Sequence, residues 1–187
     1  MKGFDDSKRI GQHTNLNGYN LSLQMCSRDV KLRNFLTPLT SPKRILDWGC
    51  RTGYQMEYMA NRGHEVWGLE LCEPYVIFGK ERGNNIILGD MEKTDQYFEE
   101  NYFDCVWGHH SLEHVGDPRK ALTSLYKVCK SGALIVIHVP LEKTLAQKHQ
   151  SYFINEGQID SYIPPEFQKL SLTFDIEWCL TLMVKSK

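Results

Sequence analysis

The sequence lacks several features that would narrow its class. No stretch approaches the roughly 20 consecutive apolar residues of a membrane span. The opening segment, MKGFDDSKRIGQ, has no apolar centre of the kind a secretory leader needs, so a cytoplasmic location is the expectation. Cysteine pairing motifs are missing too. The six cysteines at 26, 50, 72, 105, 129 and 179 include no Cys-x-x-Cys pair and are irregularly spaced. That argues against a zinc centre or a disulfide framework and for reduced thiols, so no metal is expected. Charge of one sign is also absent: the formal net charge is -1 over 187 residues, which disfavours a basic surface built for nucleic acid. There is no internal repeat and no low-complexity linker.

What remains is a chain with the length and composition of one globular domain spanning 1–187, at 41% hydrophobic and 24% charged. Residues 1–15 are polar. Residues 19–36 carry apolar side chains at 21, 25, 32, 35 and 36, a moderate fit to one helix, before Pro38 and Pro42 break the chain. Residues 1–42 thus form an N-terminal helical segment, a possible lid.

From 43 onward apolar runs alternate with helical patterns. RILDW, HEVWGLEL, NIILG, FDCVWG and ALIVIHVP are expected strands; GYQMEYMANRG, PYVIFGKERG and DPRKALTSLYKVCKSG are expected helices. DQYFEENY is a short helix or turn. In the last helix Asp117 caps, Pro118 opens the first turn, Gly132 ends it, and residues 121, 122, 125, 128 and 129 share one face. Near-continuous apolar strands between helices mean an α/β, doubly wound, mostly parallel sheet in residues 43–187. The tail differs. LSLTFDI and CLTLMVKS are separated only by Glu177 and Trp178, too short for a parallel crossover, so one strand runs antiparallel.

The first strand leads into LDWGCRTGY, with the pattern Asp47-x-Gly49-x-Arg51-x-Gly53. Ligands in such sheets sit at the carboxyl ends of strands, and a glycine turn there aims backbone N–H groups and a helix start at the ligand. A plain structural turn would read the same. Glu70 ends the second strand 23 residues after Asp47, where a ribose-binding carboxylate belongs. GDM ends the third strand, where Asp90 would accept from an adenine amino group.

ILDWGCRTG, EVWGLEL, GDM, YFDCVWGHHSLEHV and LYKVCKSGALIVIHVP together resemble successive motifs of the class I S-adenosylmethionine-dependent methyltransferases, in particular the small "type 11" and ubiquinone-biosynthesis-like ones. The resemblance runs from about residue 43 to the end and implies a Rossmann-like, seven-stranded sheet with an antiparallel C-terminal strand. It implies S-adenosylmethionine as cofactor, held by Asp47, Gly49, Cys50, Arg51 and Gly53 under the methionine part. Glu70 and Leu71 would then lie at the ribose, Asp90 and Met91 at the adenine, and His109 near the methionine moiety or the reacting methyl.

Arg51 departs from the family's commonest pattern, and two readings stand. Its backbone adopts a conformation an L-residue tolerates, or the arginine reshapes the loop and weakens binding; a left-handed non-glycine residue costs about 1–2 kcal/mol. Its guanidinium could also pair with a carboxylate.

His110-x-x-Glu113-His114 spells the inverted zinc-protease motif, but it follows a buried strand and no third ligand is evident. On the family reading His109, His110 and His114 are candidate general bases or pocket-shaping residues; one or two could equally cap or pack the turn. His149 is a candidate substrate-side residue. Tyr19, Trp107 and Tyr152 are candidate contacts to the cationic sulfonium, with ordinary packing the alternative for each, and Tyr19 is also a candidate substrate contact. His13, His64 and His138 read as ordinary surface or strand residues.

The implied reaction is in-line displacement on a small-molecule acceptor. Only some 30 residues separate the fifth strand from the final hairpin, and no Asn-Pro-Pro-Tyr run follows the fourth strand. Nucleic acid is therefore a poor fit as acceptor. Two other functions fit less well: a non-catalytic cofactor-binding or partner-binding relative, for which Arg51 argues, and a nicotinamide-dependent oxidoreductase, since a glycine loop and an acid also suit a dinucleotide.

Overall fold

The structure, a computed structural model, describes residues 16–140, 153, 155–175 and 177–186, with only the backbone of Leu16. Two short helices open it, α1 (Leu16–Cys26) and α2 (Val30–Leu36). Residues 19–36 are therefore not one helix. Asp29 interrupts it, its carboxylate accepting from the N–H groups of Lys31 at 3.0 Å and Leu32 at 3.1 Å to start α2 afresh.

The alternating part follows as expected: β1 (Arg44–Trp48), α3 (Tyr54–Ala60), β2 (Glu65–Glu70), α4 (Glu73–Glu81), β3 (Ile86–Leu88), a 3-10 turn (Met91–Gln96) and β4 (Phe103–His109). A second 3-10 turn (Leu112–His114), α5 (Pro118–Val128), β5 (Cys129–Pro140), α6 (Glu156–Tyr162), β6 (Phe167–Phe174) and β7 (Glu177–Val184) complete it. Several boundaries differ from the sequence reading, among them the short element expected at 95–102, which lies at Met91–Gln96. The helix α5 stops at Val128, and Gly132, at φ 77, lies within β5 instead of ending the helix. β6 ends at Phe174 and β7 begins at Glu177, so Glu177 and Trp178 belong to β7.

The seven strands form one sheet in the order β3-β2-β1-β4-β5-β7-β6. β7 pairs antiparallel with both β5 and β6, and every other pairing is parallel. Burial on both faces explains the unbroken apolar strands: in β1, Ile45 and Leu46 point to opposite faces and both are fully buried. One face packs Leu46, Val106, Ile135 and Ile137 against Leu122 and Leu125 of α5. The other packs Ile45, Trp107 and Val136 against Met56, Met59 and Phe35. Each such side chain contributes about 1.5–3 kcal/mol by leaving water. Among the described residues no helix is long and apolar enough to cross a membrane.

The topology sets the site. β1 to β5 all end at one edge of the sheet. Because β7 runs the other way, its first residue, Glu177, reaches that same edge, opposite Pro140.

Candidate functional site

The edge has two parts. The first surrounds the turn after β1. Gly49 (φ 86), Arg51 (φ 51) and Gly53 (φ 82) all lie in the left-handed region. The N–H groups of Gly49 and Cys50 both donate to the Leu69 carbonyl, at 2.9 and 3.2 Å, which pins the turn to β2. A Cβ on Gly49 would lie 2.3 Å from Ser111 Cβ, so only glycine fits there. Arg51 donates its N–H to Glu70 Oε2 at 2.9 Å, a bond that offsets the cost of its left-handed backbone. Cys72 N–H donates to the other Glu70 oxygen at 2.8 Å. Burial pushes the Glu70 carboxyl up, against these two N–H donors.

A cavity of about 490 Å³ opens over this turn. Gly49, Arg51 and Glu70 form one wall; Leu71, Asp90 and Met91 form another; His110, Ser111 and His114 close it. Leu71 is 72% exposed at the rim, an apolar side chain with a face free for a flat ring. Asp90 caps the 3-10 turn by accepting from Glu92 N–H at 2.9 Å. Ser111 Oγ is buried with no hydrogen-bond partner. Beneath the turn, Asp47 is buried with Oδ2 unpaired, and burial followed by the nearby Glu70 charge pushes its pKa up to about 8. A volume of this order, a wall a Cβ would fill, a hydroxyl left unpaired and a strand-end carboxylate fit a nucleoside-bearing ligand such as S-adenosylmethionine.

The second part is built from side chains. His109 of β4 lies opposite His138 of β5, which lies opposite Cys179 of β7, which lies opposite Thr173 of β6. Strand pleating puts this row on one face, and Glu177, two residues before Cys179, joins it. Glu177 is 7% exposed. Its carboxylate takes hydrogen bonds from the Lys31 ammonium and from His110 Nε2. His138 Nδ1 approaches to 3.1 Å, outside hydrogen-bond geometry, and His109 Nε2 to 3.8 Å. Burial would raise the Glu177 carboxyl, but His110, His138 and Lys31 together hold it well below the usual range. Burial likewise opposes charge on His138, yet Cys179 and Glu177 raise its pKa to about 9. For His109, burial and then His110 win, lowering it to about 4 against Glu177. His109 is thus a neutral imidazole at pH 7. It lines a second cavity of about 540 Å³ beneath α1 and α2, with Met25, Val30, Lys31, Tyr54 and Gln55. His110, itself left-handed at φ 53, lines the first cavity while holding Glu177, so it joins the two parts.

Several sequence expectations need correction. Cys50 does not line the cavity; its thiol is buried, and a Cβ on Gly68 would meet Cys50 Sγ at 2.4 Å. Gly53 and Asp47 also lie outside the cavity wall. Gly53 starts α3, where a Cβ would be 2.7 Å from Asn84 Nδ2. His109 faces the second cavity instead of the first. Tyr19 is 1% exposed, donates to Glu57 Oε2 at 2.8 Å and packs on Phe78, so it is core and not a substrate contact. Trp107 is fully buried and donates to Gln55 Oε1 at 3.1 Å, so it cannot meet a sulfonium. His138, read as an ordinary strand residue, belongs to the buried row. His13, His149 and Tyr152 lie outside the described residues.

The protease-like spelling has no protease geometry. His110 precedes a 3-10 turn that His114 ends, and Glu113, 1% exposed, lies 3.8 and 3.9 Å from them, its pKa pushed up to about 7 by burial. Among the described residues, the ligand-capable group that gathers is His109, His110 and Glu177, within 4.8 Å of one another. Lys31 already supplies a positive charge to that carboxylate.

Residues 46–137 match the family model described as "Methyltransferase domain". The chain carries a class I methyltransferase domain. The domain is 30% identical over 151 residues to the malonyl-[acyl-carrier protein] O-methyltransferase of Salmonella typhimurium, covering 78% of this chain and 58% of that protein. It is 31% identical over 117 residues to a ubiquinone biosynthesis O-methyltransferase of Nitrosomonas europaea, covering 60% of this chain and 48% of that one. The chain thus spans about half the length of these relatives. A crystal structure of a SAM-dependent methyltransferase from Aquifex aeolicus superposes on this methyltransferase domain with a TM-score of 0.71 at 15% identity, covering 97% of this chain and all of that one, a likeness of fold.

Sequence reasoning missed Lys31, Ser111, His138 and Glu177. For Glu177 a signal existed: had β7 been started two residues earlier, period-2 alternation would have put it on one face with Cys179.

Proposed function

We propose that the chain binds S-adenosylmethionine in the cavity over Gly49 and Glu70 and transfers its methyl group to an oxygen of a small-molecule acceptor. One observation carries the reading: a left-handed glycine turn whose backbone clamps a strand-end carboxylate at the wall of a cavity of about 490 Å³. Bound there, the cofactor supplies a sulfonium methyl already activated for displacement.

The residues divide the work. Glu70 keeps lone pairs beyond its two backbone bonds and accepts from ribose hydroxyls, a charge-assisted contact of about 1.5–3 kcal/mol. Leu71, Asp90 and Met91 frame the base, while Gly49, the Arg51 backbone and Ser111 surround the amino-acid end. The acceptor lies toward His109 and His110, with Met25 and Val30 as its apolar wall. Positioning is the main contribution, since orientation alone can supply about 7–11 kcal/mol. A hydroxyl acceptor must also lose a proton. His110 takes it, oriented and charge-balanced by Glu177 behind it. His109, held neutral and weakly basic by burial, shapes the pocket floor, and His114 closes the cofactor side. That both relatives are O-methyltransferases by name supports an oxygen acceptor.

The test is calorimetric titration of the purified chain with S-adenosylmethionine, its demethylated product and NAD in parallel. Micromolar binding of the two sulfur compounds and none of NAD is expected, and licenses an acceptor screen. Binding of NAD alone would replace the reading with an oxidoreductase. Binding of the sulfur compounds with no product from any hydroxyl-bearing acceptor would favour a non-catalytic relative.

A further inference from the structure

The row across the sheet contains a thiol and an imidazole, Cys179 and His138, that methyl transfer does not use. Cys179 Sγ lies 3.6 Å from His138 Nε2, and the other nitrogen of that ring, Nδ1, lies 3.1 Å from Glu177 Oε1. A thiol, an imidazole in reach of it and a carboxylate behind the imidazole is the general pattern of an activated nucleophile. The arrangement is fixed by the fold. His138 and Cys179 are direct cross-strand partners, and Glu177 stands two residues along the same strand face. His138 is 3% exposed, and its Nδ1 has no hydrogen-bond partner.

The thiol is also reachable. Cys179 is part-exposed in a cavity of about 390 Å³ separate from the cofactor cavity, lined by Lys31 and Asn34 of α2, Thr173 of β6, and Asp175 and Glu177 beside the hairpin turn. Three deeper thiols are poor nucleophiles. Burial pushes Cys26 to about 12, Cys105 to about 11 and Cys50 well above its ordinary value, which leaves them protonated and inert.

We propose that Cys179, with the His138 imidazole in reach as its proton partner, is a reactive thiol, and that it is the site at which this protein is modified by small electrophiles, hydrogen peroxide foremost. In the peroxide step the thiol proton passes to His138 Nε2 as the sulfur attacks one oxygen: the S–O bond forms and the O–O bond breaks. The departing hydroxide takes the Nε2 proton of His138 and leaves as water. Sulfur is oxidised to the sulfenic acid, peroxide is reduced, and His138 is left neutral. A second thiol can reverse the product.

The charged and titratable groups around the thiol are His138 of β5, Glu177 of β7, Lys31 of α2, Asp175 of the hairpin and, one strand further, His109 of β4 with His110.

The experiment is alkylation of the full native chain by iodoacetamide, without cofactor, read cysteine by cysteine by mass spectrometry between pH 6 and 8.5. An ordinary thiol, with a pKa of about 8.5, slows on the order of 100-fold over that range. Cys179 is expected to slow less than about tenfold, and His138→Gln is expected to restore the ordinary profile. A 100-fold slowing of Cys179 in the native chain, or a profile unchanged by His138→Gln, would overturn the proposal. Should that variant fail to fold, Glu177→Gln serves in its place, and the native profile decides by itself. Peroxide followed by a sulfenic-acid trap should label Cys179 ahead of Cys26, Cys50 and Cys105; labelling spread evenly over them would also overturn it. None of these readouts uses S-adenosylmethionine, so they stand or fall apart from the methyl-transfer reading.

Discussion

The edge above β1 to β3 and the edge above β4 to β7 belong to one sheet but are made of different material. Over β1 to β3 the polar contacts are largely backbone: the Leu69 carbonyl, the N–H groups of Arg51 and Cys72, and a single carboxylate between them. Over β4 to β7 they are side chains, with Lys31, His109, His110 and His138 gathered on Glu177. A backbone-built site holds its shape through glycines and left-handed residues and suits a ligand that never varies. A side-chain cluster can change with few substitutions while the strands stay in place.

The sharpest way to break that comparison is Gly49→Ala. The added Cβ meets Ser111 in a left-handed backbone, so cofactor affinity should fall more than about 100-fold, or the fold should loosen by about 1–2 kcal/mol or more; calorimetry and thermal melting read the two. Next is Glu177→Gln, which should cut methyl transfer by about 10-fold or more, the low end for a proton-transfer group, with cofactor affinity changed less than about threefold. An equal loss of cofactor affinity would erase the division between the halves. Glu70→Ala should do the reverse, weakening cofactor binding by at least about tenfold; unchanged affinity would remove Glu70 from the ribose.

Two smaller effects sharpen the picture. Asp47 has a folded-state pKa above its unfolded value, with the shift caused by burial and then Glu70. As pH rises from about 4 to about 8 the unfolded chain loses this proton while the folded chain keeps it, so stability falls over that window. Asp47→Asn should remove that slope and raise the melting temperature at pH 8 relative to pH 5. Arg51→Gly should relieve a left-handed arginine, stabilising the fold by up to about 1 kcal/mol and leaving cofactor affinity within about threefold. A large loss of binding would mean that the guanidinium itself holds the ligand.

The legibility of the two halves follows the same division. Gly49, Glu70 and Asp90 stood out because a turn after a strand needs glycine, and because strand-end acids recur at fixed offsets along a βαβ chain. The cavity wall includes all three. Cys50 and Gly53 lie outside the cavity wall, since neighbours in a tight turn point in opposite directions and only the fold decides which of them faces the cavity. Tyr19 failed for a related reason: an aromatic in an amphipathic segment fits a pocket or a core, and the bond to Glu57 decided for the core. Glu177 and His138 are 39 residues apart in sequence, and no local pattern ties them.

By itself the sequence determined the alternation of strands and helices, the mostly parallel sheet, the one antiparallel strand and the glycine turn, because each is set by local periodicity, turn chemistry or the length of a link. Tertiary structure alone decided that Lys31, His109, His110, His138 and Glu177 meet. Their meeting depends on strand order and register, which bring distant segments side by side at one edge. It also depends on a reversed last strand that delivers its first residue to the place where the others end.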